Sequence, residues 1–369
     1  MFIKRILEEK IEKNLFKGKI IILYGARQVG KTTLVKRIPH SLYLNCDEPD
    51  IKDALTSKTS TELKSFIGNN KLVVIDEAQR VKDIGLTLKL LADNFPDIQV
   101  IATGSSSFEL SDRIIEPLTG RKLEFYLYPL SIEELGSIYS DLEINRLLEN
   151  RIIYGMYPDI ILNIDNRDAY LKELARSYSY KDILVYQNIR NHDVLIKLLQ
   201  ALALQIGSEV SYNELSNLLG IDKKTVENYV DILEKAFIIF KLRSFNTNKR
   251  NELKRLRKIY FYDTGLRNAL INNLNPLSIR QDTGALWENF VISERIKFLR
   301  NHAIDRQSYF WRTLSKQEID YIEEEAGNIH GFEIKWKKDK LRAPKSFTDS
   351  YPDAEYSIIN NKNFKDFIG

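Results

Sequence analysis

The residues with the clearest chemical meaning form a glycine-rich segment near the start of the sequence, which follows the pattern G-x-x-x-x-G-K-[ST]. The segment consists of Gly25, Ala26, Arg27, Gln28, Val29, Gly30, Lys31, Thr32 and Thr33. Its two glycines let backbone N–H groups turn towards an anion. The Lys31 ammonium can reach the β- and γ-phosphates of a nucleotide, and the Thr32 hydroxyl can bind Mg²⁺. The segment therefore predicts a site for ATP with magnesium.

Two adjacent carboxylates, Asp76 and Glu77, end an apolar run that begins at Leu72. A nucleoside triphosphatase needs such a pair beside its phosphate-binding loop. We predict that Asp76 holds the Mg²⁺, directly or through water, and that Glu77 orients and polarises the attacking water. The two roles are expected to differ because successive residues of a strand point to opposite sides. A strand that ends in acids is common by itself, so this prediction depends on the preceding Lys31–Thr32 pair.

Hydroxyl side chains follow a third apolar run, 98–102, and could sense the γ-phosphate or hold the water. Thr103 and Ser105 are the predicted sensors. The alternative for Ser105 and Ser106 is a cap on the next helix, and the two interpretations remain open.

Two arginines are candidates for the positive charge that stabilises the developing charge on the γ-phosphate. Arg121 joins Lys31 and Glu77 in the predicted catalytic set, whereas Arg113 is interpreted as a surface cation. The sequence does not give the oligomeric state. It therefore leaves open whether Arg121 acts on the nucleotide of its own chain or on that of a neighbour.

The elements that must position these residues alternate between strands and helices. The run 19–24 reads as a buried strand that leads into the loop, and residues 31–38 read as a helix that Pro39 ends. Further strands are predicted at 42–46, followed by a turn at 47–50, and at 72–76 and 98–102, with helices between them. This alternation predicts an α/β fold with a parallel sheet, and the nucleotide beyond the carboxyl ends of its strands.

Composition narrows the class of protein. At 369 residues the chain is long for one domain, and its 43% hydrophobic content supports real cores. A net charge of +4 says little about partners. The single cysteine, Cys46, excludes an intrachain disulfide and suits a reducing cytosol. No apolar stretch reaches membrane-spanning length and no signal-peptide pattern opens the sequence, so we expect a soluble cytoplasmic protein without a membrane partner.

The middle of the sequence is predicted to be helical. Ser131 and Glu134 form a capping box, and the pattern over 151–204 is helical apart from an interruption at Gly155–Asp159. A helical lid over the nucleotide site is one interpretation of this stretch, and a plain connecting bundle is the other.

A helix-turn-helix pattern follows at 211–235. The second helix is expected to carry outward residues near its start, where a recognition helix touches DNA. These predicted DNA contacts are Lys223, Lys224, Thr225 and Asn228. A strand is predicted at 237–242, and the basic run 249–258 suits contacts to phosphates. The alternative is a module that packs or binds a protein partner, with a solvated charged face.

The last third of the sequence contains a second group of carboxylates. Strands are predicted at 308–313, 318–322 and 331–336, after a helix at 282–299. Glu333 and Lys335 share one face of their strand because the strand period is two, and Asp320 and Glu288 could converge on the same place. Two or three carboxylates bind Mg²⁺ well, and a lysine beside them can activate water or steady a scissile phosphate.

Several of these blocks resemble prokaryotic AAA-family ATP-binding proteins that carry a C-terminal domain of unknown function. The blocks are Gly25–Thr33, Leu72–Gln79, Thr103–Ser107, Thr119–Arg121 with Tyr128–Ser131, Gly155–Asp159, Tyr180–Ile183 and Ile259–Leu266. The resemblance implies an AAA+-like core, a winged-helix segment and a nuclease-like domain. The last part is similar to the PD-(D/E)xK nucleases, with Asp320, Glu333 and Lys335 in motif positions and Glu288 in the helix position. It departs from that pattern in having no proline immediately before Asp320.

These observations predict three parts. They are an ATP-binding P-loop core with a parallel sheet and a helical lid at 1–204, a winged helix-turn-helix segment at 205–274, and a restriction-endonuclease-like α/β domain at 275–369. The predicted activity is Mg²⁺-dependent ATP hydrolysis coupled to DNA engagement, with nuclease activity left open. The alternative is a nucleotide-dependent regulatory switch whose C-terminal part binds a protein partner without cleaving nucleic acid. Self-association is compatible with either.

Overall fold

The computed structural model describes residues 3–104, 118–180, 192–245 and 257–369, without the side chains of residues 177–180 and 192. Contacts divide the chain into two compact units. Unit 1 comprises Met1–Leu130 and Lys235–Phe237, and unit 2 comprises Ser131–Glu234 and Ile238–Gly369.

Unit 1 is a parallel sheet with helices in its connections. Its strands are β1 (Ile20–Gly25), β2 (Leu42–Asn45), β3 (Leu72–Asp76), β4 (Gln99–Gly104) and β5 (Lys122–Leu127). Its helices are α1 (Ile6–Glu12), α2 (Lys31–Arg37), α3 (Pro49–Leu55), α4 (Ser60–Ile67) and α5 (Ile84–Asn94), with a 3₁₀ turn at Ala78–Arg80. The strand order is β2-β3-β4-β1-β5, and every neighbouring pair is parallel. All carboxyl ends therefore lie at one edge, which is where α/β sheets bind ligands.

The central strands of this sheet are buried on both faces. Every residue of β1, β3 and β4 is buried, which explains why these strands read as continuous apolar runs in the sequence. The turn predicted at 47–50 is wrong in part, because Pro49 begins helix α3. Proline suits this first helical position, where its missing N–H costs no hydrogen bond.

Unit 2 combines helices with a mixed sheet. Its first helices are α6 (Ile132–Leu135), α7 (Asp141–Tyr154), α8 (Pro158–Leu162), α9 (Arg167–Tyr180), α10 (His192–Leu204), α11 (Tyr212–Leu219) and α12 (Lys223–Lys235). Its later helices are α13 (Thr264–Leu270), α14 (Thr283–His302), α15 (Lys345–Ser350) and α16 (Phe364–Ile368). Its strands are β6 (Ile239–Ser244), β7 (Arg257–Phe261), β8 (Gln307–Arg312), β9 (Glu318–Glu325), β10 (Asn328–Ile334) and β11 (Glu355–Ile359). The strand order is β11-β10-β9-β8-β6-β7.

This sheet crosses one of the predicted domain boundaries. β6 and β7, which precede residue 274, form an antiparallel pair, and β6 continues in parallel onto β8 with Arg243 opposite Tyr309. The strands expected in the winged-helix segment and those expected in the nuclease-like domain thus belong to one sheet. Shared backbone hydrogen bonds explain why contacts do not separate the two regions at residue 274.

The helices after Leu130 are also tied to later parts of the chain. The Asp263 carboxylate accepts a hydrogen bond from the Met156 N–H at 2.6 Å. The Asn268 amide donates to the Ile153 carbonyl at 2.8 Å. Residues 151–204, for which a lid on the N-terminal core is one of the two interpretations, therefore group with unit 2, and the first segment of unit 1 ends at Leu130.

Candidate functional site

The glycine-rich segment, residues 25–33 (the P-loop), joins the carboxyl end of β1 to the first residue of α2. Gly30 lies in the left-handed region, with φ 96°, a conformation that favours glycine. Glycine is required at position 25 for a different reason: a side chain there would overlap the Leu127 carbonyl oxygen of the adjacent strand β5. The sheet itself therefore requires the first glycine of the motif.

The Lys31 side chain lies across the start of the P-loop. Its ammonium donates to the carbonyl oxygens of Gly25 at 3.0 Å and Ala26 at 2.8 Å, and only 5% of the residue is exposed. A buried charge needs such partners. Lys31 is thus held inside the loop, at the carboxyl edge of the sheet.

Arg5 braces the P-loop from the N-terminal segment. Its guanidinium donates to the Val29 carbonyl at 2.8 Å and to the Tyr128 carbonyl at 2.7 Å, and the residue is buried. Sequence reasoning missed this residue, because a single arginine ahead of a helix carries no local signal of a partner far along the chain.

The Asp76 carboxylate lies at the end of β3 and accepts hydrogen bonds from three side-chain hydroxyls. Thr32 Oγ1 donates to Asp76 Oδ2 at 2.8 Å, and Tyr43 Oη donates to the same oxygen at 2.5 Å. Thr103 Oγ1 donates to the other oxygen, Oδ1. The structure therefore brings together Thr32 and Asp76, the two predicted magnesium ligands. One hydroxyl and one carboxylate fit Mg²⁺, which binds oxygen and keeps several waters.

Glu77 is the residue after Asp76, but it lies outside β3, so strand alternation does not determine where its side chain points. β3 ends at Asp76, and Glu77 takes a left-handed backbone with φ 54°. Its N–H donates to Thr103 Oγ1 at 3.1 Å, and its carboxylate accepts a hydrogen bond from the Gln79 amide. Because the chain turns directly after Asp76, the strand alternation expected from the sequence does not extend to Glu77.

Thr103, a predicted phosphate sensor, contacts the acidic pair. It is fully buried, donates to Asp76 and accepts from the Glu77 N–H. These bonds tie Thr103 to the carboxylate of Asp76 and to the backbone of Glu77. The other predicted sensor, Ser105, lies outside the described residues, as do Ser106 and Arg113.

Arg121 lies away from the P-loop of its own chain. It immediately precedes β5, and its carbonyl accepts from the N–H of Ile20, the first residue of the parallel strand β1. Its side chain donates to Asp93 at 2.5 Å. Because β1 begins here and reaches the P-loop only at its other end, Arg121 is at the opposite edge of the sheet. It does not reach a nucleotide bound in its own P-loop.

Unit 2 contains the second predicted group of residues. The Lys335 ammonium lies 2.8 Å from both Asp320 Oδ2 and Glu333 Oε1, and Asp320 also accepts from the Ile334 N–H at 2.9 Å. Asp320 is on β9 and Glu333 on the adjacent strand β10, while Glu288 comes from α14. We call Glu288, Glu318, Asp320 and Glu333, with Lys258 and Lys335, the acidic cluster.

Lys258 and Tyr260 of β7 also belong to this region, and sequence reasoning missed both. The Lys258 ammonium lies 3.1 Å from Glu288 Oε1 and contacts Glu318, and 1% of its side chain is exposed. Tyr260 Oη donates to Glu288 Oε1 at 2.6 Å. Lys258, the last residue of the basic run 249–258, is therefore buried against carboxylates rather than on a solvated face, and Tyr260 lies on the same face of β7.

Burial and mutual repulsion shift the acidities in this cluster. Burial, followed by the charge of Asp320, raises the pKa of Glu288 to about 7, although Lys258 opposes the shift. The same two causes raise the pKa of Glu333. Burial alone would lower the pKa of Lys335, but the charges of Asp320 and Glu333 outweigh it and raise that pKa.

Only two carboxylates of the acidic cluster, those of Asp320 and Glu333, are candidate ligands for a metal ion among the described residues. Among the described residues, no group of three or more histidine, cysteine or acidic side chains is arranged to hold a metal ion. Asp320 and Glu333 nevertheless flank one ammonium, and Mg²⁺ is commonly held by one or two carboxylates with waters completing its shell. The pair is of the kind that holds a hydrated magnesium ion, and the Lys335 ammonium lies between its two carboxylates.

The predicted DNA-reading residues lie at the start of α12. α11 ends at Gly220 in the left-handed conformation, and Lys223, Lys224 and Asn228 are exposed at the beginning of the next helix. Thr225 differs, because its N–H and hydroxyl both donate to the carboxylate of Asp222, which caps the helix. Most of the predicted basic run, residues 249–256, lies outside the described residues.

Comparison with known protein families finds three matches along the chain. Residues 17–136 match the family described as an AAA domain. Residues 145–277 and 283–367 match two families described as domains of unknown function, DUF8612 and DUF4143. With a P-loop next to an acidic strand end, the first match supports a P-loop domain of the AAA type in this part of the chain.

Several proteins are similar over most of the chain. An uncharacterized protein of Mycobacterium tuberculosis is 27% identical over 338 residues, which cover 90% of this chain and 74% of that protein. An uncharacterized protein of Methanocaldococcus jannaschii is 28% identical over 334 residues, 78% of this chain and 70% of that protein. A solved Walker-type ATPase of Pyrococcus abyssi is 18% identical, with a TM-score of 0.49, covering 73% of this chain and 96% of that one. Within the described parts of the chain, no helix has both the length and the apolar character that a membrane crossing requires.

Proposed function

We propose that this chain binds ATP with Mg²⁺ at the P-loop and hydrolyses it. The observation that carries the proposal is the 2.8 Å hydrogen bond from Thr32 to Asp76, beside the buried ammonium of Lys31. This contact joins the two halves of a P-loop nucleotide site, which are far apart in the sequence. The AAA-domain match supports the same class of activity.

Each residue has a role in this proposal. Lys31 stabilises the negative charge that develops on the phosphates. Thr32 and Asp76 hold the magnesium ion, which neutralises phosphate charge when bound. Glu77, positioned by Thr103 and Gln79, orients the attacking water.

The proposal is tested by equilibrium binding of ATP and by turnover. Lys31→Ala removes the cation inside the loop, so ATP binding should be lost or severely weakened. Glu77→Gln should still bind ATP, while turnover falls by about 10²–10⁴-fold. Glu48→Gln, a change at an exposed acid of the same unit, is the matched control. Unchanged turnover in Glu77→Gln would contradict the role of Glu77.

We further propose that the nucleotide state controls DNA engagement through α12. The exposed Lys223, Lys224 and Asn228 at the start of this helix support the proposal, since a recognition helix contacts DNA at this position. DNA should stimulate ATP turnover. A double change, Lys223→Ala with Lys224→Ala, should weaken DNA binding and reduce its dependence on salt.

The control for this experiment is a second double change at exposed lysines of unit 2, Lys172→Ala with Lys197→Ala. It removes the same charge from α9 and α10 and should leave DNA binding nearly unchanged. If the wild-type protein ignores DNA at about 50 mM salt, and turnover is slow and indifferent to DNA, the result favours a switch that binds a protein partner.

The acidic cluster supports a second candidate function, metal-dependent cleavage of nucleic acid. The specific observation is Lys335 between Asp320 and Glu333, next to the buried Glu288. In this proposal the two carboxylates hold Mg²⁺, and Lys335 steadies the scissile phosphate or activates water. The protein should nick plasmid DNA with Mg²⁺ or Mn²⁺, and Asp320→Asn should abolish nicking while Glu325→Gln, at an exposed acid of the same strand, does not. No cleavage of any tested DNA or RNA form would remove this function.

A further inference from the structure

The hydrogen bond from Tyr43 to Asp76 adds a residue to the nucleotide site that no motif contains. Its 2.5 Å distance is shorter than the 2.8 Å between Thr32 and the same carboxylate oxygen, Asp76 Oδ2. Asp76 itself is 2% exposed. The tyrosine hydroxyl is therefore part of the polar environment of a predicted magnesium ligand.

Sheet register explains why Tyr43 reaches this carboxylate. β2 lies parallel to β3, with Asn45 opposite Asp76. Tyr43 precedes Asn45 by two residues, so both side chains lie on the face of the sheet that Asp76 also occupies. The Lys36 ammonium of α2 lies 4.8 Å from the centre of the Tyr43 ring. The ring is thus held between the helix that follows the P-loop and the acidic end of β3.

The number of acceptor positions on the carboxylate limits what else Asp76 can bind. A carboxylate offers about four acceptor positions, two on each oxygen. Thr32 and Tyr43 fill both positions on Oδ2, and Thr103 takes one on Oδ1. Counting donors from the described residues only, one position on Oδ1 is left to accept a hydrogen bond from a water on a metal ion.

We propose that Tyr43 is a positioning residue for magnesium, which fixes the Asp76 carboxylate so that its remaining acceptor position serves the metal. This inference rests on the proposed ATP site. An ionised carboxylate only accepts hydrogen bonds, so the Tyr43 hydroxyl is the donor in this contact. Hydrogen bonds of this kind orient a metal ligand, and their loss commonly costs 10–100-fold in metal affinity.

Tyr43→Phe removes only the hydroxyl and tests this role. ATP binding is measured by isothermal titration across a series of Mg²⁺ concentrations and again in EDTA. We expect the Mg²⁺ concentration that gives half of the metal-dependent gain in ATP affinity to rise about 10-fold. ATP binding in EDTA should stay at the wild-type level, because Lys31 and the P-loop backbone are untouched.

Tyr126→Phe is the matched control, since it removes a half-buried tyrosine hydroxyl from β5 of the same unit, 3.5 Å from Glu124. It should leave the Mg²⁺ dependence unchanged. A Tyr43→Phe variant within twofold of wild type, or one that loses ATP affinity equally with Mg²⁺ and in EDTA, overturns the positioning role. A wild-type protein that binds no ATP in either condition overturns the proposed function itself, and with it this inference.

Discussion

Lys258 shows at the residue scale how a charge is accommodated inside this protein. A lysine with 1% of its side chain exposed is unfavourable unless carboxylates surround it, and Glu288 and Glu318 both contact its ammonium. Removing one of these carboxylates leaves part of the buried charge of Lys258 uncompensated. The free energy lost in this way is larger than the net stabilisation that the intact ion pair provides. The acidic cluster is therefore a balanced network, in which changes of charge at one residue affect the others.

This balance gives a prediction about pH. Glu288 has a pKa of about 7 in the folded protein and an ordinary value of 4.5. Because the folded state binds the proton more tightly, its contribution to stability is full below pH 4.5 and is lost as the pH rises to 7. Removing the carboxylate by Glu288→Gln should abolish that part of the decrease, which is about 3 kcal/mol at most.

The measurement is the free energy of unfolding in urea at pH 5 and pH 8, in EDTA, for the wild-type protein and for Glu288→Gln. Glu325→Gln, at an exposed acid, is the control and should keep the wild-type pH dependence. If Glu288→Gln lost as much stability between these pH values as the wild type does, Glu288 would not carry the effect.

The sequence could predict the motif residues but not the residues that support them. Thr32 and Asp76 are recognisable because the loop and the acidic strand end are each local patterns, and the structure places them 2.8 Å apart. Tyr43, Arg5 and Lys258 were missed because their partners are distant in the chain. A tyrosine or a lysine in a strand can have many different partners. Only the register of the neighbouring strands determines which partner it has.

At the scale of elements, α7 and α13 meet through their backbones. A side chain on Gly265, in the first turn of α13, would overlap the carbonyl of Tyr154, the last residue of α7. Asp263, just before α13, accepts hydrogen bonds from the N–H groups of Met156 and Leu266. These contacts let the two helix ends approach closely.

This close approach predicts a large effect from a single methyl group. Gly265→Ala should lower the free energy of unfolding by about 1–3 kcal/mol or more, because neither backbone can move away freely. Gly284→Ala is the control, since nothing lies within 4 Å of its side-chain position in the first turn of α14. That change should be neutral or stabilising by about 0.4–1 kcal/mol. Urea unfolding of both variants distinguishes the two, and equal effects would contradict the steric argument.

The strands show which features of the fold a hydrophobic pattern predicts and which it does not. The buried strands β1, β3 and β4 were predicted because each is a continuous apolar run. The union of β6 and β7 with β8 was not predicted. Hydrophobic periodicity identifies a strand but not its neighbour, and the resemblance suggested two separate domains where the structure has one sheet.

At the scale of the whole molecule, the chain contributes to unit 1 twice. Residues Lys235–Phe237 belong to this unit although the preceding and following residues belong to unit 2. The Phe237 ring lies 5.9 Å from the Tyr126 ring and 6.1 Å from the Tyr128 ring, measured between centroids. Phe237 is 6% exposed, so this short segment supplies part of the core of unit 1.

We predict that Phe237→Ala destabilises unit 1, although this residue is far in the sequence from the rest of the unit. Truncation of a buried phenylalanine costs about 3–5 kcal/mol. Thermal unfolding should show the loss, and ATP should recover part of it by binding the folded state. Phe16→Ala, at a residue of the same unit that is 58% exposed, is the control and should change little. Equal effects of the two changes would contradict a core role for Phe237.

The return of the chain to unit 1 has a consequence for biosynthesis. A ribosome releases the P-loop and all five strands of the parallel sheet long before it releases Phe237. Until that residue emerges from the exit tunnel, the nascent sheet lacks an aromatic side chain that packs on Tyr126 and Tyr128. Unit 1 therefore cannot complete its core during translation until the chain has been made beyond residue 237.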